Sequence, residues 1–473
     1  LINGFSKKPD YATGERMKKM DVIVIGSGGG TKLAIPAAER GLKVALIEED
    51  AFGGTCLNRG CIPSKMLIHP TEVAEHVRHA RRLGIEVEGE IRLHFGEVMR
   101  RIAREVGETS AAIRKRHETH PGITVYNGHA VFEADKVVMV NGEQITADTI
   151  FIATGSRPEL PPVEGLAGTP YITSREALGL AAVPRRLLVL GAGYIAVELG
   201  GAYRAYGADV QFLVRSRFLR GLDDDVTAEF ERGFLPYHNV HKPFTLDRVT
   251  HDGNRFSVHG RFPDGSGDIV TGDTLLVAAG VVPETDRLGL ENTAIQRDRN
   301  GFIRVNGRLE TDVPGVYALG DCVGNYLFRH TVNFEGEYLM RTVFGKGPAV
   351  ALDYGPVPYA VFTTPQIAGV GASENALKRD GVDYVVGKAS YADSTPGMAR
   401  VSEVGFVKVL VDRASRRVLG AHIVGDEASV MIHLFIAMMK MGGTLDDLLG
   451  MIFIHPALPE VARDAVRDAA RQL

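Results

Sequence analysis

Two segments of this chain share an uncommon order: a short apolar strand, a turn dense in glycine, then a helix. In the first, Asp21-Val-Ile-Val-Ile25 runs into Gly26-Ser27-Gly28-Gly29-Gly30, Lys32 to Arg40 has helical character, and Val44-Ala-Leu-Ile47 is a second strand ending at Glu48. In the second, Arg186-Leu-Leu-Val-Leu190 runs into Gly191-Ala192-Gly193-Tyr194-Ile195-Ala196, with a helix expected over Val197 to Tyr206 and a strand over Ala208 to Val214. Glycines let the backbone approach a phosphate closely, and the N–H groups and dipole at the start of the next helix favour negative charge. Such a βαβ unit commits the chain to a largely parallel sheet and cradles the diphosphate of a dinucleotide. Two units therefore predict an α/β fold with two Rossmann-like dinucleotide-binding domains, one for each partner of a hydride transfer. Gly26, Gly28 and Gly30, with Glu48 for ribose hydroxyls, are the candidate contacts at the first. Gly191, Gly193 and Tyr194 mark the second. Thr31 stands where the fingerprint's third glycine is usual, which predicts a wider approach of helix and strand there.

About thirty residues after the first turn opens comes the run Gly53-Gly54-Thr55-Cys56-Leu57-Asn58-Arg59-Gly60-Cys61-Ile62-Pro63-Ser64-Lys65. Two thiols separated by four residues, leading into a helix, can close into a disulfide and open again. A helix N-terminus and a nearby cation both favour a thiolate over the free thiol's pKa of about 8.5. Cys322 is the only other cysteine, so a disulfide scaffold is excluded. Structural zinc draws four Cys or His ligands at short spacings, and no second cluster accompanies the pair, so no metal site is expected. Lys65 lies one helical turn beyond Cys61 and shares a face with it.

The Gly53–Lys65 run resembles the redox-active signature of the flavoprotein disulfide reductases, the family of lipoamide dehydrogenase, glutathione reductase, mercuric reductase and mycothione reductase. The resemblance extends from about residue 20 to the C-terminus. It implies FAD at the first site, held also by Gly54, Thr55, Thr154, Gly155 and Asp321, the last ending the run Thr311–Asp321. It implies that Cys61 contacts the flavin, that Cys56 is the interchange thiol, and that Lys65 pairs with Glu198 on the second nucleotide helix. His330, Glu335 and Gly336 match flavin-lining positions, with no catalytic role for His330. The run His455-Pro456-Ala457-Leu458-Pro459-Glu460 matches the family's acid–base motif, with His455 as acid–base and Glu460 its orienting carboxylate. In the family these come from the other subunit of a homodimer, so the active site is shared across the interface. The implied organisation is a tail over residues 1–19, an FAD-binding domain over 20–157 and 281–350, an NAD(P)H-binding domain over 158–280, and a C-terminal α+β dimerisation domain over 351–473. The charged stretch Leu93 to Thr119 reads as a helical insertion in the first of these, and Cys322 as a small packing residue.

The nicotinamide partner is legible at the end of the second unit. NAD sites place an acidic residue there to hold the free 2′-hydroxyl. Here Val214 occupies that position, followed by Arg215, Arg217 and Arg220, whose guanidinium groups match a phosphate. The expectation is NADPH, with NADH as the alternative. The substrate expected is a low-molecular-weight disulfide, because the C-terminal motif and Phe362-Thr363-Thr364-Pro365-Gln366-Ile367-Ala368 resemble the mycothione reductase branch. The alternative is an NAD-linked lipoamide dehydrogenase that docks a lipoyl protein, since the cysteine run resembles that branch apart from Arg59, where a small apolar residue is usual. A reading of another class is a non-catalytic flavin-bearing scaffold or redox sensor, against which the intact Cys56, Cys61, His455 and Glu460 stand.

The net charge of −4 gives no reason to expect nucleic acid or an anionic membrane as partner. No apolar stretch reaches the ~18 residues of a membrane span. Residues Leu1 to Lys19 are polar and basic, without the apolar core of a secretory signal, and Met17 or Met20 is a candidate start. Three cysteines and no export signal lead to a cytoplasmic expectation.

Overall fold

The computed structural model describes residues 17–345 and 350–473. The tail expected over residues 1–19 thus falls mostly outside the described residues, while Lys18 and Lys19 already belong to the first strand. The first unit runs β1 (Lys18–Ile25), α1 (Thr31–Ala38), β2 (Val44–Glu48), α2 (Gly54–Arg59), α3 (Cys61–Arg78), α4 (Phe95–Glu118), β3 (Ile123–Asn127), β4 (Val131–Ala134), β5 (Val137–Val140) and β6 (Glu143–Ile152). Its sheet has the order β3-β2-β1-β6-β5-β4. β1 pairs in parallel with both β2 and β6. Val22, Ile23 and Val24 are fully buried, as a central parallel strand covered on both faces requires.

The second unit repeats the theme with β7 (Arg186–Leu190), α5 (Tyr194–Ala205), β8 (Asp209–Leu213), α6 (Asp224–Phe234), β9 (Asn239–His241) and β10 (Thr274–Val277), in the order β9-β8-β7-β10. An antiparallel ribbon over Thr245–His251, Phe256–Arg261 and Gly267–Gly272 is inserted before β10. α5 begins at Tyr194, three residues before the helix expected from Val197, because Gly193 takes extended backbone angles and lets the next residue start the helix. The chain then returns: β11 (Val316–Ala318) pairs with β6, and α7 (Arg329–Val343) packs on α1, where a Cβ on Gly336 would lie 2.9 Å from Lys32 Cβ.

The C-terminal unit is an antiparallel sheet of β12 (Pro358–Val361), β13 (Ile367–Gly371), β14 (Tyr384–Ser390), β15 (Phe406–Asp412) and β16 (Val418–Val424), ordered β12-β13-β16-β15-β14, with α8 (Glu374–Asp380) between β13 and β14. The last helix, α9 (Pro459–Ala470), buries Val461, Ala462, Ala465, Val466 and Ala469 against it. The architecture is the expected α/β fold with two dinucleotide-type units and an α+β C-terminal part. Among the described residues no helix is long and apolar enough to cross a membrane.

One polar row ties the second unit to the C-terminal sheet. Lys388, Lys408 and His422 are cross-strand neighbours on β14, β15 and β16. Lys408 is fully buried, and its ammonium lies 3.2 Å from Asp223, 2.9 Å from Asp225 and 2.6 Å from Glu374. Asp223 also accepts hydrogen bonds from the backbone N–H groups of Glu374 and Asn375, so the residue before α6 caps a helix in another unit. A buried ammonium survives only when its charge is matched and its three donors are filled, and here three carboxylates do both. Removing one member leaves the others buried and uncompensated, at a cost of about 3–5 kcal/mol. Lys408→Met is therefore expected to lower the unfolding free energy by that order, read as a fall in the urea midpoint at unchanged slope, and an unchanged midpoint would show that the row is not a tie. Glu374 is held down at about 2 by hydrogen bonds from Lys378 and Lys408 that outweigh burial. A depressed carboxyl stabilises the fold above its ordinary range and stops doing so as pH falls through its folded value. Wild type should thus lose this part of its stability between pH 4.5 and 2, and a Glu374→Gln variant should not.

Candidate active site

The cysteine run folds as two helices broken at one residue. α2 holds Cys56 and ends at Arg59, Gly60 takes backbone angles outside both helical and extended regions, and Cys61 is the first residue of α3. Both are free thiols, one on either side of the break. The neighbouring Cys56 thiol, then Lys65 and Arg329, acting against partial burial, lower the Cys61 thiol to about 7. The Cys61 thiol and burial hold the Cys56 thiol well above its ordinary value. Cys61, which opens α3 with Lys65 one turn along it, is the better placed of the two sulfurs to hold negative charge.

Behind Cys61, Lys65 Nζ lies 2.6 Å from Glu198 Oε2 and 4.4 Å from the centre of the Phe362 ring. Glu198, on α5, accepts a second hydrogen bond from the Phe362 N–H at 2.9 Å. Burial raises its pKa, and the Lys65 cation opposes the rise. Tyr194, one turn earlier on α5, shares this face. Its hydroxyl is pushed up to about 12 by burial and by the nearby carboxylates of Asp321 and Glu198.

These residues line one end of a cavity of about 330 Å³ that continues along the first unit past Gly26, Gly28, Gly54, Thr55, Thr154 and Gly155 to Glu48. The wall is built for close backbone approach. Gly26 has φ +97°, and a Cβ there would lie 2.4 Å from the Ala153 carbonyl oxygen. A Cβ on Gly54 would lie 2.5 Å from Gly28 Cα, so two glycine turns touch where any side chain would fill the trough. Helical contact closes at Gly30, whose Cβ would sit 2.1 Å from the Gly26 carbonyl oxygen. The tight approach thus falls on Gly30, one residue before Thr31, whose hydroxyl donates to the Gly28 carbonyl instead of forcing the elements apart. Glu48 spends three of its carboxylate's four acceptor sites on the Ser27 N–H, the Ser27 hydroxyl and the Asp50 N–H. One remains for a ribose hydroxyl. Asp321, raised by burial, accepts a hydrogen bond from the Ser156 hydroxyl and lines the cavity. A cradle without side chains, a carboxylate at each stage and a thiol pair at one end fit FAD.

Several expected residues lie elsewhere. His330 bonds the Pro358 carbonyl and stacks on Phe328. Glu335 is fully buried, accepting from the Gly320 N–H and the Tyr354 hydroxyl, and Gly336 packs on α1. The cavity wall at this point is made by Arg329 and Val332, one helical turn apart. Sequence reasoning passed over Arg329, although a cation opening a helix beside a flavin-type motif is a readable signal. Beyond β8, Arg215 and Arg220 are exposed, but Arg217 turns back to Asp224, the Leu222 carbonyl and Thr227 and is not free for a phosphate. Gly191 has φ +144° and a Cβ there would lie 2.2 Å from the Ala278 carbonyl oxygen, which matches the role of Gly26 in the first unit.

His455 and Glu460 are not part of the cavity wall. His455 Nδ1 lies 3.0 Å from Glu460 Oε2. Glu460 is buried, and against that burial its pKa is lowered by His455, the Ala457 N–H and Arg463. His455 itself is 67 % exposed, next to Ile452 at 100 % and Ile454 at 80 %. Cys322 is fully buried, donating to carbonyl oxygens of Ile152 and Leu319, and burial pushes its thiol up to about 12. Brief maleimide treatment of the reduced native protein should label the Cys56–Cys61 pair faster as pH rises through 7 and leave Cys322 unlabelled until denaturant is added. Labelling of Cys322 in the native state would contradict this packing.

Comparison with known proteins places this geometry. The sequence pattern of the pyridine nucleotide-disulphide oxidoreductases matches residues 20–338, and that of their dimerisation domain matches residues 357–466. The mycothione reductase of Mycobacterium tuberculosis is 34 % identical over 464 residues, covering 95 % of this chain and 99 % of the relative. The mitochondrial dihydrolipoyl dehydrogenase of Cricetulus griseus is 35 % identical over 499 residues, covering 98 % of this chain and 93 % of the relative. Among solved structures, the Cu(II) complex of the HOCl-induced flavoprotein disulfide reductase RclA from Escherichia coli superposes with a TM-score of 0.84 at 28 % identity, covering 97 % of this chain and 100 % of that one.

Proposed function

The chain belongs to the pyridine nucleotide-disulphide oxidoreductase family, enzymes that act on sulfur groups with FAD and NAD(P)H, and from that membership we propose that it uses NADPH to reduce a low-molecular-weight disulfide of the mycothiol type. The observation that carries the reading is the end of β8. Val214 is fully buried where NAD sites keep a carboxylate, and Arg215 and Arg220 stand exposed beyond it. Two guanidinium groups without a carboxylate suit a 2′-phosphate. The 34 % identity to a mycothione reductase along nearly the whole of both chains supports the thiol class. The 35 % identity to a dihydrolipoyl dehydrogenase supports a second reading, NAD-linked oxidation of a protein-bound dihydrolipoyl group.

The proposed division of labour follows the geometry. Gly26, Gly28, Gly30, Gly54, Thr55, Thr154 and Gly155 hold FAD by backbone approach, with Glu48 and Asp321 as acceptors. FAD held there would supply two-electron transfer between the nicotinamide and the Cys56–Cys61 disulfide. Gly191, Gly193 and Tyr194 belong to the nicotinamide dinucleotide's site, and Lys65 with Glu198 keeps a fixed cation one turn behind Cys61. Cys56 attacks one sulfur of the external disulfide, whose S–S bond breaks and whose leaving thiolate takes a proton. The Cys61 thiolate then attacks the Cys56 sulfur, expels the second thiolate and restores the Cys56–Cys61 bond. The dimerisation domain supports a homodimer. In it, His455 of a second copy gives and takes these protons through Nε2, because Glu460 occupies Nδ1. The exposed Ile452 and Ile454 beside it are the surface such a copy covers.

The deciding experiment runs dihydrolipoamide with NAD+ and with NADP+ beside NADPH-driven reduction of mycothiol disulfide. NADPH-driven reduction with negligible dihydrolipoamide oxidation is expected, and fast NAD+ reduction by dihydrolipoamide would establish the second reading instead. Arg215→Ala should raise the KM for NADPH about 10- to 100-fold, the worth of one charge-assisted hydrogen bond, and leave that for NADH unchanged. Equal effects on both would remove Arg215 from the 2′-phosphate. Cys56→Ser should abolish disulfide reduction while retaining FAD that NADPH still reduces, whereas full turnover by that variant would overturn the thiol assignment.

A further inference from the structure

The first turn of α7 enters the cavity wall against the first glycine turn. Val332 Cγ1 lies 2.5 Å from the point a Gly29 Cβ would occupy, and one helical turn earlier Arg329 Nη1 lies 3.9 Å from the corresponding point on Gly28. Two successive glycines are thus met by two residues on one face of α7. Val332 fixes the helix by also closing on Gly320, whose Cβ would sit 2.9 Å from Cγ2, and the guanidinium is carried onto the crossing where a Gly28 Cβ would meet Gly54 Cα at 3.4 Å. Arg329 is half-buried, and among the described residues no carboxylate lies within 4 Å of it. The other arginines of the cavity wall, Arg59, Arg157, Arg175 and Arg287, each have a carboxylate within that distance. The placement is also locally unfavourable, since a positive charge at a helix N-terminus opposes the helix dipole, by about 0.3–1 kcal/mol at an exposed site. A guanidinium left without a partner, where glycines make room, calls for an anion from outside the chain.

We propose that Arg329 is a binding residue for the diphosphate of FAD, closing over the glycine crossing from α7 and pairing with the phosphate oxygens. The inference rests on the reading of this cavity as the FAD site and deepens it. Glycine turns receive a diphosphate through backbone N–H groups, which supply dipoles but no full charge. Glu48 and Asp321 on the same wall are carboxylates, so a dianionic group is brought in against negative charge. Lys65, the lysine of that wall, is paired with Glu198. Among the described residues Arg329 is therefore the one arginine or lysine of the wall whose charge is uncommitted. Its planar fork of donors matches phosphate in geometry as well as sign. The same contact joins the cofactor to α7, the helix that returns to pack on α1, and relieves the unfavourable charge at its start.

The test follows release of FAD from the purified holoenzyme, by recovery of flavin fluorescence on dilution, for wild type, Arg329→Ala, Arg329→Lys and Arg329→Gln. Arg329→Ala should raise the dissociation constant for FAD about 10- to 100-fold, the loss expected for one charge-assisted pair. Arg329→Lys should recover part of this, and Arg329→Gln, which has the length without the charge, should recover less. The wild-type constant should climb more steeply with added KCl than that of Arg329→Gln, because salt screens a charge the variant lacks. The midpoint potential of bound FAD should be the same in wild type and Arg329→Gln, since a cation at the diphosphate lies away from the ring that takes the electrons. An unchanged dissociation constant in Arg329→Ala, or equal recovery by lysine and glutamine, would overturn the assignment. A potential that falls when the charge is removed would put the guanidinium at the flavin ring and overturn it as well. Wild-type protein that neither carries FAD nor takes it up would instead overturn the reading of the cavity. If Arg329→Ala loses its far-ultraviolet dichroism, the comparison of lysine with glutamine decides alone.

Discussion

Three parts of the chain meet on the carboxylate of Glu198. It receives the ammonium of Lys65 from the helix that Cys61 opens, it belongs to the helix that follows the second glycine turn, and it takes the N–H of Phe362 at the edge of the C-terminal sheet. A carboxylate this deeply buried is costly unless its lone pairs are filled by a charge and a donor together. Both are supplied by elements other than its own. The arrangement therefore holds only when all three units are docked, and the position of Lys65 behind Cys61 follows from it.

The second constraint is the contact of two glycine turns. Gly28 and Gly54 touch through backbone, so the strand-to-helix turn of the first unit and the start of the cysteine helix share one trough. A dinucleotide laid in that trough is carried toward the thiols by the geometry of the chain alone. Further along, the row of Lys388, Lys408 and His422 faces the start of α6, so the second unit is fastened to the C-terminal sheet by matched charge rather than by apolar burial alone.

Much of this was legible in the sequence because the responsible signals are local. A glycine turn needs its glycines at fixed offsets, a redox pair needs its cysteines near each other, and an apolar run between polar turns is a buried strand. The helical insertion expected over Leu93 to Thr119 is one to two residues generous at each end. Long-range competition was not legible. Arg217 resembles its neighbours Arg215 and Arg220 in sequence, but Asp224 and Thr227, on the helix that follows, claim its guanidinium. Glu335 looked like a cavity residue and is instead held inward by the Gly320 N–H and the Tyr354 hydroxyl. The helix α5 starts early because Gly193 needs no side-chain cap to begin it. Lys408 sits in an otherwise apolar strand, and only the distant Asp223, Asp225 and Glu374 explain it.

The place of Cys322 has a consequence for fidelity. An enzyme that forms mixed disulfides at every turnover is exposed to shuffling, in which a third thiol captures the sulfur bound to the interchange cysteine. Exchange requires a thiolate with access to the bond it attacks. Cys322 has neither: it is sealed in the core, with its proton held toward two carbonyl oxygens. On the proposed assignment of Cys56 as the interchange thiol, the sulfur it accepts has a single intramolecular exit within one chain, through Cys61. Burial of Cys322 would keep that proposed cycle unbranched.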